Sequence, residues 1–188
     1  MIRGLGFVIT GGQDLVISNQ TFLNIGTNSF LGVPWVVWVL LLTFAAFGLA
    51  MPRSKFGRYT YAIGSNLRAS KLAGVPINRW RIAFYATCGA LAAVAGLITV
   101  ARTGTASPSA NTGIELDVFT AVFLGGASLT GGRGRLGGTF LGLILLGTLN
   151  NGLILVNVPA YWQQVVKGLI LLAAVSWDEL HRTRRDLD

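Results

Sequence analysis

Long apolar blocks alternate with short polar stretches along this chain. The first block, 33–51, carries no charge, and its length matches the roughly 20 residues that cross a bilayer as a helix. Trp35 and Trp38 stand at its start, where interfacial aromatic belts lie. Pro34 suits a first helical turn, and Pro52, Arg53 and Lys55 close the block. A second block, 82–101, is rich in Ala and Gly, which predicts close packing against other helices rather than against lipid. A third, 136–156, carries Gly138 and Gly142 as a GxxxG pair, a packing face for another helix. The last block covers 161–177. Between the second and third, 114–129 is short for a span and carries Glu115 and Asp117. It predicts a shorter, tilted or re-entrant helix.

The polar stretches have their own pattern. Residues 52–81 carry Arg53, Lys55, Arg58, Arg68, Lys71, Arg79 and Arg81 and no acidic residue. Inside them, 66–73 (NLRASKLA) reads as a short helix, with Asn66 as N-cap, Gly74 as its stop and Pro76 blocking continuation. Residues 102–113 read as a loop and 130–135 (TGGRGR) as a glycine-rich turn. That turn lacks the Gly-Lys-Ser/Thr ending of a phosphate-binding P-loop.

Charge gives the blocks a direction. If 52–81 is cytoplasmic, alternating spans place 130–135 and the C-terminal tail on the same side. Those two regions add Arg133, Arg135, Arg182, Arg184 and Arg185. The opposite side holds only Arg102 and Arg3. This is the positive-inside pattern. It predicts a cytoplasmic C-terminus, with 13–32 and 102–113 outside, and requires 114–129 to cross the membrane. The composition agrees: mean hydropathy is +0.60, and charged residues make up 12%, about half the share of an ordinary soluble domain. The net charge of +8 is therefore read as topology, and nucleic-acid binding is not predicted. The single cysteine, Cys88, forms no internal disulfide and is expected to be a small buried hydrophobe. The single histidine, His181, is expected to be a solvated tail residue. No Cys/His metal spacing and no nucleophile–base pair is present, so neither a cofactor nor a catalytic site is predicted. Residues 1–14 lack the long apolar region and small-residue cleavage site of a signal peptide.

Read in order, several segments resemble one family. Residues 57–66 (GRYTYAIGSN) and 69–75 (ASKLAGV) resemble the cytoplasmic loop of ribose-type ABC permeases. Residues 113–117 (GIELD), 124–129 (LGGASL), 131–135 (GGRGR) and 149–152 (LNNG) are similar to further motifs of that family. Their order and spacing carry the resemblance, which runs from about Gly4 to Trp177. It implies an all-α membrane helical bundle of about five spans with a short cytoplasmic coupling helix, in a bacterial inner membrane. It implies an ATP-driven importer of a monosaccharide such as ribose, in which the permease itself hydrolyses nothing. The implied partners are an ABC ATPase subunit, a periplasmic sugar-binding protein and a second permease subunit (a homodimer mate or a missing half). Family members have further spans ahead of the residues matching Gly4. The chain is thus expected to be the C-terminal half of such a subunit. Residues 1–32 would be the end of a span plus an external loop, 33–177 the permease domain, and 178–188 a cytoplasmic tail.

The candidate functional residues follow. Asn66, Leu67, Arg68, Lys71, Leu72, Gly74 and Val75 form the expected ATPase-coupling segment. Leu67, Leu72 and Val75 would fill apolar pockets, with Arg68 and Lys71 at a polar rim. Gly74 would allow a sharp turn where a side chain would clash. On composition alone the same segment is a solvated basic loop. Glu115 and Asp117, at the outer end of their segment, are an interfacial pair favoured by a helix N-terminus or ion-pathway groups with Lys167. The second option belongs to the alternative of a secondary transporter or channel fragment. Asn150 and Asn151 need hydrogen-bond partners inside an apolar helix. They line a solute pathway or bond between helices. Gln163, Gln164 and Lys167 make a polar stripe on the last span and leave the same two options open.

Overall fold

The structure, a computed structural model, describes residues 2–128 and 130–185, with side chains over 3–128 and 130–176. It is a helical membrane bundle with four two-residue strands: α1 (Ile2–Thr10), β1 (Leu15–Val16), α2 (Gln20–Thr27), β2 (Ser29–Phe30), β3 (Val33–Pro34), α3 (Trp35–Arg53), α4 (Lys55–Ser65), α5 (Leu67–Leu72), α6 (Ile77–Thr103), β4 (Thr105–Ala106), α7 (Ile114–Leu124), α8 (Leu136–Leu155) and α9 (Ala160–Arg185). The chain divides into two compact units, one of Met1–Ala46 and Asn78–Thr112, the other of Phe47–Ile77 and Gly113–Asp188.

Among the described residues, α3, α6 and α8 are long and apolar enough to cross a bilayer. A helix is the form such segments take because hydrocarbon offers no partner to a free N–H or C=O. The apolar blocks found their helices with shifted ends. Pro34 is not in the first turn of α3. It lies in β3, opposite Ser29, and Trp38 Nε1 donates to the Phe30 carbonyl (3.2 Å) to hold the hairpin on the helix. Pro52 does not end α3, which runs to Arg53. Ser54 then caps α4, its hydroxyl accepting from Gly57 N. Residues 55–65 are therefore helical where sequence suggested a loop. Residues 20–27, placed in an external loop, form α2 with Asn19 as its cap. The last span reads 161–177 in sequence, but α9 continues to Arg185, so the described part of the expected tail is helical in its backbone. The tail's side chains, His181 included, lie outside the described residues.

In the first unit, β1 pairs antiparallel with β4, and α2 meets the end of α6 where a Cβ on Gly26 would strike the Ala101 and Arg102 backbone. Two expectations for α6 are corrected. Its Ala/Gly stretch is not buried: Ala101 is its one buried residue. Cys88 is exposed. Small residues permit close approach but burial needs a second surface, and in a bilayer an apolar side chain is equally at home against lipid.

In the second unit, α7 and α8 form an antiparallel hairpin with backbone-to-backbone contact. A Cβ on Gly138 would overlap the Gly125 carbonyl, and one on Gly142 the Ala121 carbonyl. The GxxxG face thus finds its partner in α7. Helix α7 has 11 residues, a rise of about 16 Å, and stops at Leu124; the expected 16-residue span, whose last residue Leu129 lies outside the described residues, is not one helix. Gly126 follows at φ +82°, a conformation that turns the chain. The loop returns to α4, where Gly131 and Gly132 abut the Gly64 and Ser65 backbone, and Tyr61 Oη donates to the Gly134 carbonyl (3.0 Å).

Gly142→Val should loosen this hairpin by about 1–3 kcal/mol through overpacking. Gly147→Val is the control, since a Cβ there meets nothing within 4 Å. Thermal unfolding in detergent micelles should separate the two, the first losing stability and the second keeping it.

Candidate functional site

The basic segment between α3 and α6 folds as two short helices in the second unit. Asn66 ends α4 and starts α5: its backbone N–H bonds the Ala62 carbonyl, and its side-chain oxygen accepts from Ala69 N (2.9 Å). The extended backbone at Asn66 sets the angle between the helices. At the other end, Val75 N bonds the Ser70 carbonyl (3.1 Å) and Gly74 N the Lys71 carbonyl (3.1 Å), with Gly74 at φ +77°. The reason for glycine differs from the expected one. A Cβ at Gly74 would meet nothing within 4 Å, so the constraint is the left-handed backbone rather than a clash.

Ser70 is buried and faces inward. Leu67 is 44% and Leu72 85% exposed, and Arg68 and Lys71 are exposed beside them, while Val75 is half-buried. A six-residue helix, capped at both ends, therefore presents two leucines and two cations to its surroundings. Leucine held this open costs free energy unless something covers it.

A second group lies in the three-helix part of the same unit. Asp117 on α7 and Lys167 on α9 form an ion pair, Nζ to Oδ2 2.7 Å. Sequence reading joined them only as ion-pathway groups of the alternative reading; the direct contact, across 50 residues, is set by the tertiary structure. Glu115 stands in the same first turn of α7. Gln163 Nε2 donates to the Val158 carbonyl (2.8 Å), which ties it to the α8–α9 turn. Gln164 is exposed, as is Asn151. Asn150 differs from its neighbour: its Oδ1 is buried and accepts no hydrogen bond among the described residues. Thus Asp117 and Lys167 are brought together, Gln163 is satisfied locally, and Asn150 keeps an open acceptor.

The first unit holds a groove that sequence reading missed. It has a volume of about 520 Å³ and is lined by Thr21, Asn24, Asn28, Trp35, Val39 and Ile98 among others. The residues come from α2 and its C-cap Asn28, α3 and α6, and no local pattern joins them. Among the described residues, no cluster of His, Cys, Asp and Glu could hold a metal ion.

Asn66→Ala should destabilise α5 by about 1 kcal/mol, and Gly74→Ala by a similar amount, about 1–2 kcal/mol, through left-handed strain. Both should appear as faster hydrogen exchange at the 69–75 amides, with exchange in α8 unchanged.

Residues 3–175 match the family described as the permease component of the branched-chain amino acid transport system. The chain is 42% identical over 182 residues to the ribose import permease protein RbsC of Escherichia coli K12, covering 95% of this chain and 57% of that protein. It is 41% identical over 180 residues to RbsC of Bacillus subtilis 168, covering 95% and 56%. Against the L-arabinose transport system permease protein AraH of E. coli K12 it is 39% identical over 178 residues, covering 95% and 54%. No solved structure matches it. The chain thus spans a little over half the length of these relatives, and within that span it is a multi-pass membrane protein that belongs to this permease family.

Proposed function

We propose that this chain is the translocation part of an ATP-driven importer of a monosaccharide such as ribose or arabinose, in a bacterial inner membrane. The reading follows the names of its relatives, ribose and L-arabinose permeases. Five spans would carry it: α3, α6, the α7 segment with its following turn, α8 and the apolar part of α9. ATP hydrolysis would take place on a separate ATPase subunit, and a sugar-binding protein would deliver solute from outside. A second permease subunit would complete the pathway, with Asn150, Asn151, Gln163, Gln164 and Lys167 as its candidate lining.

The observation that carries the proposal is α5. A transporter driven from outside the membrane needs a rigid element that a partner can push. The cap at Asn66 and the turn at Gly74 make α5 such an element. Exposed Leu67 and Leu72 supply apolar anchors, and Arg68 and Lys71 a cationic rim. Gly64 and Tyr61, bound to the 131–134 turn, link the base of this element to the α7–α8 hairpin within the same unit. A push on α5 thus has a short backbone path to the hairpin. The pairing of Asp117 with Lys167 favours this reading over an ion pathway, because each charge neutralises the other.

A cysteine at Leu72 should crosslink to the ATPase in membranes that import the sugar; active membranes without that adduct would remove the coupling role. Gly74→Trp should insert normally and reduce uptake at least about tenfold, because the αL strain adds to loss of the docking surface. Reagents that label Lys71 only from the outer face would reverse the proposed orientation.

A further inference from the structure

Between Arg135 and Trp177 the chain contains one basic residue, Lys167, and between Gly113 and Trp177 it contains two acids, Glu115 and Asp117. These are the charges that the α7–α8–α9 group carries through its apolar part. A lone charge there is unfavourable, and one paired by a direct hydrogen bond is much less so. The structure pairs Lys167 with Asp117 at 2.7 Å. The Lys167 side chain is 18% exposed and that of Asp117 34%, so the pair is partly enclosed.

The register of the α7–α8 hairpin explains why Asp117 turns to α9. Gly125 lies against Gly138 and Ala121 against Gly142. Continued for one more turn, the same register brings the level of Leu146, which is buried, to that of Asp117. At the level of Asp117, then, α8 offers an apolar neighbour. The cation comes from α9. That helix carries Gln163 and Gln164 four and three residues before Lys167, on the same face.

We propose that the Asp117–Lys167 pair is a positioning clasp that sets the rotation of α9 against the α7–α8 hairpin and so decides where Gln164 points. An apolar helix facing mostly apolar neighbours has little to fix its rotation, because leucine on any side is equally acceptable to lipid. One directional charged bond removes that freedom. The consequence for solute passage rests on the transport reading above, but the clasp itself does not.

The test reads rotation directly. In the full chain with Cys88→Ser, Gln164→Cys is reacted with a water-soluble maleimide after reconstitution, and the rate follows thiol access. Asp117→Leu/Lys167→Met keeps charge balance, so it inserts; its labelling rate should differ from the parent by at least about fivefold. The reversed pair, Asp117→Lys/Lys167→Asp, and the conservative Asp117→Glu should label within about twofold of the parent. A double apolar variant that labels like the parent would overturn the clasp, and so would a reversed pair that labels like the double apolar variant. Sugar uptake by the assembled importer is measured in parallel. Altered labelling together with no uptake by the importer with Gln164 and Cys88 intact would reject the transport reading and leave the clasp standing.

Discussion

The backbone of α8 lies directly against that of α7 because Gly138 and Gly142 carry no side chain where the Gly125 and Ala121 carbonyls approach. Much of the second unit depends on this contact. In hydrocarbon there is no solvent drive to bring helices together, so attraction must come from close packing and directional bonds. Two glycines one turn apart provide the first. Beyond that contact, Asp117 bonds Lys167 of α9.

The same hairpin determines what happens at its turn. Helix α7 stops at Leu124, and the glycines at 125 and 126 reverse the chain. The loop then packs Gly131 and Gly132 on the end of α4, and the Tyr61 hydroxyl bonds Gly134. These contacts run from the α7–α8 pair to the short α4–α5 pair, largely through backbone. Backbone packed on backbone transmits displacement with little loss, which suits a coupling role for α5. In the reading proposed above, partner closure at Leu67 and Leu72 would reach α7 and α8 by this route.

Polar groups in the unit divide by how they are satisfied. Gln163 bonds a turn carbonyl next door, Lys167 and Asp117 bond each other across helices, and the buried Asn150 oxygen has no partner among the described residues. A buried acceptor left open costs free energy.

The sequence by itself determined the membrane class, the apolar helices and the limits of α5. These are local properties: block length, charge flanks, and the Asn66 and Gly74 caps act within a few residues. Local signals also misled, placing Pro34 inside α3, ending it at Pro52, and extending the α7 segment to 129. A proline in a hairpin strand or a helix's last turn looks the same in one dimension. Only the tertiary structure decided that α6 leaves its small residues and Cys88 exposed, that the GxxxG face meets α7, and that Lys167 belongs to Asp117. Each of those depends on which surface lies opposite. Residues 50 apart share no periodicity, and their meeting depends on how α9 packs against α7.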